Sequence, residues 1–406
     1  MQPDVMVVGG GAIGVSVAYE LAGRGARVTL LERGDALGAG CSAGNAGLIS
    51  PSHSTPIANP AALRDGLRWI LKPDSPFYLR PRPGVLPWLV RYVRAAGAAR
   101  AGAGARALHE LTVASLRLHA ELADRGLPTG FERRGTLSVY ETEAGFAAAR
   151  RKIEGEFLAA EEARRLEPAL GAGIAGAVYH REEAQCEPLG YVEAVGRAAA
   201  DAGAETRTGV EVRGLRRSPA GVVVETADGD LRPGTLVLAA GVWTGRLARG
   251  LGLFVPLEGG KGYHVDLEPV GGDPRLPLAL QEARTIATPL AGRLRLSGTL
   301  ELAGLDLSIS DRRVAAIRRS GDRVLGDQAG RRVIDTWAGL RPCTPDGLPM
   351  IGRVDGIVLA TGHAMKGLAL APVTARLVAE LVAGEPPSHD LAPFSPDRFR
   401  PLLRLR

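Results

Sequence analysis

Lysine is almost absent from this chain. Only Lys72, Lys152, Lys261 and Lys366 stand among 50 basic residues, and the arginines that make up the rest are scattered among 44 acids in no dense block. The net charge of +6 therefore describes an arginine-biased solvated surface and argues against nucleic acid as a partner. It leaves a modest attraction for anionic substrates or anionic membrane surfaces. Aromatic residues are also scarce, at 4%, so the apolar mass is mostly Ala, Leu and Val, as helices and parallel strands use. The three cysteines, Cys41, Cys186 and Cys343, are odd in number and far apart. That excludes a disulfide framework and metal-ligand spacing, so no metal is expected, and it fits a reducing compartment. No apolar run is long enough to span a bilayer. The chain opens almost directly on an apolar strand, which leaves no room for a signal peptide. The expected location is the cytoplasm, with peripheral contact on the inner face of the membrane kept open. Hydrophobic content of 45% over 406 residues gives a globular chain with core for two or three domains.

What is present begins at Val5. Val5-Met6-Val7-Val8 is an apolar strand that feeds Gly9-Gly10-Gly11-Ala12-Ile13-Gly14; an Ala-rich helical run follows to Gly25, and Val28-Thr29-Leu30-Leu31 ends on Glu32. Strand, Gly-x-Gly-x-x-Gly turn, helix, strand and acid in that order form a dinucleotide-binding βαβ unit. Gly9 allows the tight turn, Gly11 the approach of a pyrophosphate, and Gly14 close helix–strand packing. The N–H groups at the helix start and its dipole favour the phosphates. Glu32 sits where a carboxylate accepts from an adenosine ribose. The dinucleotide is either NAD or FAD on this motif alone. The small-residue loop Gly40–Gly47 and the turn Gly362-His363-Ala364-Met365-Lys366-Gly367 before a C-terminal helix favour FAD, since a helix N-terminus stabilises charge on a reduced isoalloxazine.

Further along, residues 56–104 read as irregular and rich in Pro and Arg. Their apolar stretches, Trp69-Ile70-Leu71 and Val85–Val90, are either a helical cover on a second domain or an interfacial segment with Trp69 and Trp88 at headgroup level. Residues 105–126 predict an amphipathic helix and 143–162 another. Residues 136–140 and 176–180 are strands. After Pro188 the chain returns to the nucleotide fold, with the fully apolar strand Leu236–Ala240 ending at Gly241. Antiparallel strands follow over 262–267, 284–287 and 294–300. Helices are expected over 311–325 and 368–383.

Several segments together resemble the FAD-dependent D-amino acid oxidoreductases, a family that includes D-amino acid dehydrogenases, glycine oxidases and sarcosine oxidases. Ser42-Ala43-Gly44-Asn45-Ala46-Gly47-Leu48-Ile49-Ser50-Pro51 resembles the bacterial D-amino acid dehydrogenase pattern Ser-x-x-Asn-Ala-Gly-x-Ile-Ser-Pro. Pro256 through Lys261-Gly262-Tyr263 is similar to the family's Pro-x-x-x-Lys-Gly-Tyr segment, with an extra residue or so before the lysine. Trp337-Ala338-Gly339-Leu340-Arg341-Pro342, followed by Thr344-Pro345-Asp346-Gly347 and Pro349, matches its C-terminal signature, and Gly362-His363 with Gly367-Leu368 is similar to glycine oxidases.

The resemblance implies an α/β (α+β overall) architecture. A Rossmann-like FAD-binding domain from 1–55, 185–255 and 330–406 is interleaved with a mixed-sheet substrate-binding domain from 56–184 and 256–329. It implies a flavoprotein oxidoreductase that oxidises D-amino acids to 2-oxo acids and ammonia by hydride transfer from Cα to flavin N5. The alternatives are a glycine, sarcosine or D-hydroxyproline enzyme of the same family, or a non-catalytic FAD subunit of a multi-chain oxidase. Cofactor contacts carry over to Gly9, Gly11, Ala12, Ile13, Gly14, Glu32 and Arg33, and to Ser42, Asn45, Ala46 and Gly47. They carry over also to Val212, Ala240, Gly241, Trp243 and Gly339, and to Gly362, His363, Lys366, Gly367 and Leu368. Arg341 matches the family's carboxylate-binding arginine, a role that suits a planar guanidinium making two charge-assisted bonds. His53 is a candidate proton acceptor, competing with a surface-loop histidine. Tyr263 is a candidate to close the pocket and Lys261 to lie near flavin N5, against packing and solvated readings of each. The cysteine that holds FAD covalently in sarcosine oxidases aligns near Gly339, not at Cys343, so the resemblance implies non-covalent FAD. With no Fe–S or haem motif, electrons leave the flavin directly to oxygen, a quinone or a protein.

Overall fold

The computed structural model describes residues 4–69, 75–326 and 330–399, so Ile70 and Leu71 of the first apolar stretch lie outside the described residues. The apolar strand Val5–Val8 is wholly buried at the centre of a six-stranded sheet. Spatial order across it is Met350–Val354, Ile357–Thr361, Thr235–Leu238, Val5–Val8, Val28–Leu31, Glu205–Arg207. Every neighbouring pair is parallel except the first. Strands buried on both faces need no polar alternation, which is why these segments read as continuous Val and Leu. Helices Ala12–Gly23, Pro188–Asp201 and Ala371–Ala383 cover one face, where Val15, Tyr191, Val195 and Leu377 are buried together. The three-stranded meander from Val212 to Leu231 and helix Thr244–Arg249 cover the other.

A nine-stranded mixed sheet forms the second layer. Its long strands Glu258–Leu267, Arg293–Leu302 and Val333–Cys343 are adjacent and antiparallel, with Glu258–Leu267 in the middle. Helix Asp311–Leu325 packs on one face through Ile317 and Val324. The other face is turned to a large cavity. A two-stranded ribbon, Leu48–Ile49 against Ala184–Gln185, joins the segment leaving the nucleotide loop to the segment re-entering it.

Three expectations are corrected. The helix expected from residue 105 begins at Ala98 and runs to Asp124, and its Leu108, Leu111, Leu118 and Leu122 pack in the core beneath the parallel sheet. The helical reading of 143–162 breaks into Glu143–Arg150, strand Glu156–Ala159 and Ala160–Leu166. Gly155 makes the break with φ +152, where an added Cβ would stand 2.5 Å from Val178. Strand Val333–Cys343 belongs by its hydrogen bonds to the nine-stranded sheet rather than to the parallel one.

Residues 86–95 are helical. Trp88 is buried and donates its indole N–H to Cys343 O (3.0 Å), which removes it from any headgroup position. The opposite side of this helix leaves Leu86, Val90 and Val93 half or more exposed.

Candidate active site

The first strand ends in the glycine turn. Gly9 has φ +110, and a Cβ there would stand 2.6 Å from Ala239 O; one on Gly14 would stand 1.7 Å from Gly9 O. These two positions admit only glycine, because neighbouring strand and helix backbones already touch. Helix Ala12–Gly23 starts at Gly11 with no side-chain cap of its own residue, and Ala12 N–H donates to Ser42 Oγ (2.9 Å). Glu32 closes the second strand and accepts from the Gly10 N–H (2.6 Å) and the Gly34 N–H (2.8 Å). Arg33 lies 3.6 Å over the Trp243 ring. Val212 opens the meander just after Val210, whose N–H bonds Glu32 O (2.9 Å). Ala240 and Gly241 follow the strand Thr235–Leu238 beside Gly9. The expected nucleotide residues are therefore neighbours in space.

The 42–51 loop runs from this turn into the cavity. Asn45 Oδ1 accepts from the Gly47 N–H (2.9 Å) and Asn45 Nδ2 donates to Met365 O (3.3 Å), tying the loop to the 362–367 turn. A cation that the sequence reading missed pins the loop to the second sheet. Arg295 forks onto both oxygens of Asp266 (2.8 Å each) and donates to Ala43 O (2.7 Å) and Asn45 O (2.9 Å). Thr288 Oγ1 donates to Ala46 O (2.8 Å) from the adjacent strand.

The cavity, about 1700 Å³, is lined by Asn45, Ala46, Ser50, His53, Gln281, Thr299, Gly339, Arg341 and Lys366 among others. Arg341 is recessed in its wall. Its Nη1 donates to Thr299 O (2.6 Å), and among the described residues no carboxylate lies within ion-pair distance of it. Desolvation works against its charge. Gly262 makes room for the guanidinium: an added Cβ would stand 2.2 Å from Arg341 Cζ. A guanidinium with a single neutral partner keeps most of its N–H donors for another acceptor. Burial lowers the Lys366 amine to about 8, with Glu183 opposing.

Two candidates leave the site. Strand alternation that turns Gly262 to the cavity turns Lys261 and Tyr263 to the other face. Lys261 Nζ bonds Asp306 Oδ2 (3.0 Å) and Ser308 O (2.9 Å), and Tyr263 O–H donates to Glu301 Oε2 (2.7 Å) under helix Asp311–Leu325. Neither lines the cavity, which corrects the expectation that they reach flavin or substrate. His363 is buried with Nε2 3.0 Å from Thr374 Oγ1, and Leu368 is core, so at the 362–368 turn these two side chains also point inward. Gly362, with φ +77, supplies the bend there, and Gly367 follows the short 3-10 turn Ala364–Lys366. His53 does reach the cavity. It lies beside Glu183, a buried carboxylate with no motif of its own.

The model of the family described as FAD dependent oxidoreductase matches residues 4–381. The chain belongs to this family. A D-amino acid dehydrogenase of Paramagnetospirillum magneticum is 32% identical over 98% of this chain and 99% of its own length. A D-amino-acid oxidase of Bradyrhizobium diazoefficiens is 33% identical, covering 97% and 98%. Among solved structures, glycine oxidase of Geobacillus kaustophilus superposes with a TM-score of 0.80 at 26% identity, covering 98% and 100%. The chain is an FAD-dependent oxidoreductase with that fold. Its residues fit the cofactor: the Gly9–Gly14 cradle leaves backbone room for the pyrophosphate, and the Glu32 carboxylate stands at its edge. When bound, FAD supplies a two-electron acceptor at the cavity.

Proposed function

We propose that this oxidoreductase deaminates D-amino acids oxidatively, giving a 2-oxo acid and ammonia after the imine meets water. The observation that carries the reading is Arg341, a recessed guanidinium with no carboxylate partner among the described residues, opening on the cavity below the 42–51 loop. It takes the substrate carboxylate and fixes Cα relative to the cofactor, so that binding energy becomes orientation. Relatives 32–35% identical and named for D-amino acids over nearly their whole length support the stereochemistry. FAD is held non-covalently: the Cys343 thiol is buried against Gly260, under Trp88, and outside the cavity lining.

The apolar face of helix Leu86–Ala95, with Arg91 and Arg94 beside it, rests on an anionic lipid surface. Its inner side, Trp88, Leu89 and Tyr92, lines the cavity, so an acceptor dissolved in lipid would meet the site from that side.

An anaerobic panel of D-amino acids, their L-enantiomers, glycine, sarcosine and D-hydroxyproline tests the main reading. Bleaching of the flavin absorbance by primary D-amino acids is the expected result. Bleaching only by glycine or by secondary amines overturns it.

A further inference from the structure

The ribbon that joins the two sheets also builds a relay. Its register, Ile49 opposite Ala184, sets Ser50 opposite Glu183 one residue on. Ser50 Oγ donates to Glu183 Oε2 (2.6 Å), and the Ser52 N–H donates to Oε1 (2.8 Å). His53 Nδ1 lies 2.6 Å from the same Ser50 oxygen. A serine hydroxyl has one hydrogen, and an ionised carboxylate can only accept. With that hydrogen on Glu183, the Ser50 oxygen must accept from Nδ1–H. The second ring nitrogen is then bare. Gln281 Nε2 approaches His53 Nε2 at 3.4 Å and Ser138 Oγ at 3.1 Å, and an amide N–H pointing at Nε2 requires a lone pair there too. His53 and Gln281 both line the cavity.

We propose that His53 Nε2 accepts a proton from the substrate ammonium, and that Glu183, acting through the Ser50 hydroxyl, holds the imidazole in the tautomer able to do so. This rests on the amino-acid reading above. An N–H bond of the ammonium breaks, its electron pair stays on the nitrogen, and the proton bonds to Nε2. The amine lone pair then assists departure of the Cα hydrogen with its electrons. The imidazolium formed faces the Glu183 carboxylate across the hydroxyl, as a triad histidine faces its acid. His53 is the catalytic residue; Ser50 and Glu183 are positioning residues.

The charged and titratable groups around the ring are Glu183 and His180 from the segment before the ribbon, Lys366 from the 362–367 turn, and Arg284 from the 281–284 turn. Arg284 is held 3.8 Å from Asp65, and His109 of the long helix reaches Pro51 O at 3.1 Å. Desolvation, with Lys366, His180 and Arg284, lowers the His53 pKa and outweighs Glu183, so the ring is neutral at pH 7.

The test is stopped-flow bleaching of the FAD-loaded enzyme from pH 6 to pH 10 with the D-amino acid that reduces the wild type fastest. Glu183→Gln keeps the shape, yet its amide can donate to Ser50, turn the hydroxyl onto Nδ1 and place the hydrogen on Nε2. His53→Asn, Glu183→Gln and Ser50→Ala should each slow bleaching roughly 10²-fold at pH 7. The deficit should shrink to a few-fold near pH 10, where solvent takes the ammonium proton. Wild-type rates in Glu183→Gln, or a deficit equal at every pH, overturn the relay. If Glu183→Gln fails to hold FAD, Ser50→Ala decides by the same pH pattern. A wild type that no amino acid bleaches overturns the underlying reading as well.

Discussion

Arg341 and Lys261 are both cations on neighbouring strands, yet only one is free to meet a ligand. Lys261 is neutralised by Asp306 and Glu301, whereas Arg341 has a single carbonyl, Thr299 O. Replacing Arg341 with Met should therefore cost activity and spare the fold. Losing a bidentate charge-assisted contact worth about 3 kcal/mol lowers kcat/KM roughly 10²-fold. Melting should shift by no more than one lost hydrogen bond allows, about 1 kcal/mol. Steady-state kinetics and thermal unfolding of Arg341→Met with FAD bound check both halves. Melting several degrees lower with KM unchanged would make Arg341 a structural residue. Arg341 was legible because it stands inside a dense signature, Trp337 to Pro349. Lys261 and Tyr263 were misread because strand alternation gives two faces without saying which one meets the cavity. Glu183 and Arg295 left no sequence signal: their partners, Ser50 and the Ala43–Asn45 carbonyls, are 133 and about 250 residues away.

At the scale of elements, the glycine turn and its flanking strands announced themselves, because tight backbone contact admits so few residue types. The region between 56 and 104 did not, since helices Pro60–Trp69 and Leu86–Ala95 are short with prolines between them, and its last residues only begin the long helix Ala98–Asp124. Helix Leu86–Ala95 now has two distinct sides, with Trp88 and Tyr92 stacked inward at 5.3 Å and Leu86, Val90 and Val93 outward. A second apolar run, Leu305, Leu307 and Ile309, is exposed nearby. The Arg80 N–H bonds Leu302 O (3.1 Å) and the Arg80 guanidinium reaches Asp306 (3.6 Å), which ties the segment leading into the helix to the segment that carries the second run. Wild-type protein should float with anionic vesicles. Replacing Leu86, Val90 and Val93 together with Ser should weaken that binding roughly 10²-fold at unchanged flavin absorbance. Wild-type protein staying entirely in the soluble fraction would end the idea. Among the described residues no helix is long and apolar enough to cross a membrane.

For the whole molecule, acid should be the weak side. Burial lowers His119 from 6.5 to about 4 and His363 to about 3. Among the described residues His119 Nδ1 has no hydrogen-bond partner, and its ring is packed against Tyr191 at 5.1 Å. A folded-state pKa below the unfolded one means the unfolded chain binds more protons as the pH falls. Stability from these neutral rings is fully present above pH 6.5 and lost on descent toward 4, and His119 alone accounts for about 3 kcal/mol of it. Urea midpoints should fall steadily from pH 7 to pH 4.5, and His119→Gln should flatten the fall. Equal slopes for both proteins would remove His119 as a cause. Precipitating the chain in acid should leave all the yellow colour in the supernatant; colour that sediments with the polypeptide would contradict non-covalent FAD.

The spatial order of the parallel sheet has a consequence for the newborn chain. Val5–Val8 is made before its neighbour Thr235–Leu238, which arrives some 230 residues later, and Ile357–Thr361 comes later still. The nucleotide cradle therefore cannot close while the ribosome is still at work on most of the sequence. Long-range parallel pairing is slow in any case. One edge of Val5–Val8 can pair early with Val28–Leu31, whereas the edge that takes Thr235–Leu238 stays a template for wrong partners until that strand emerges.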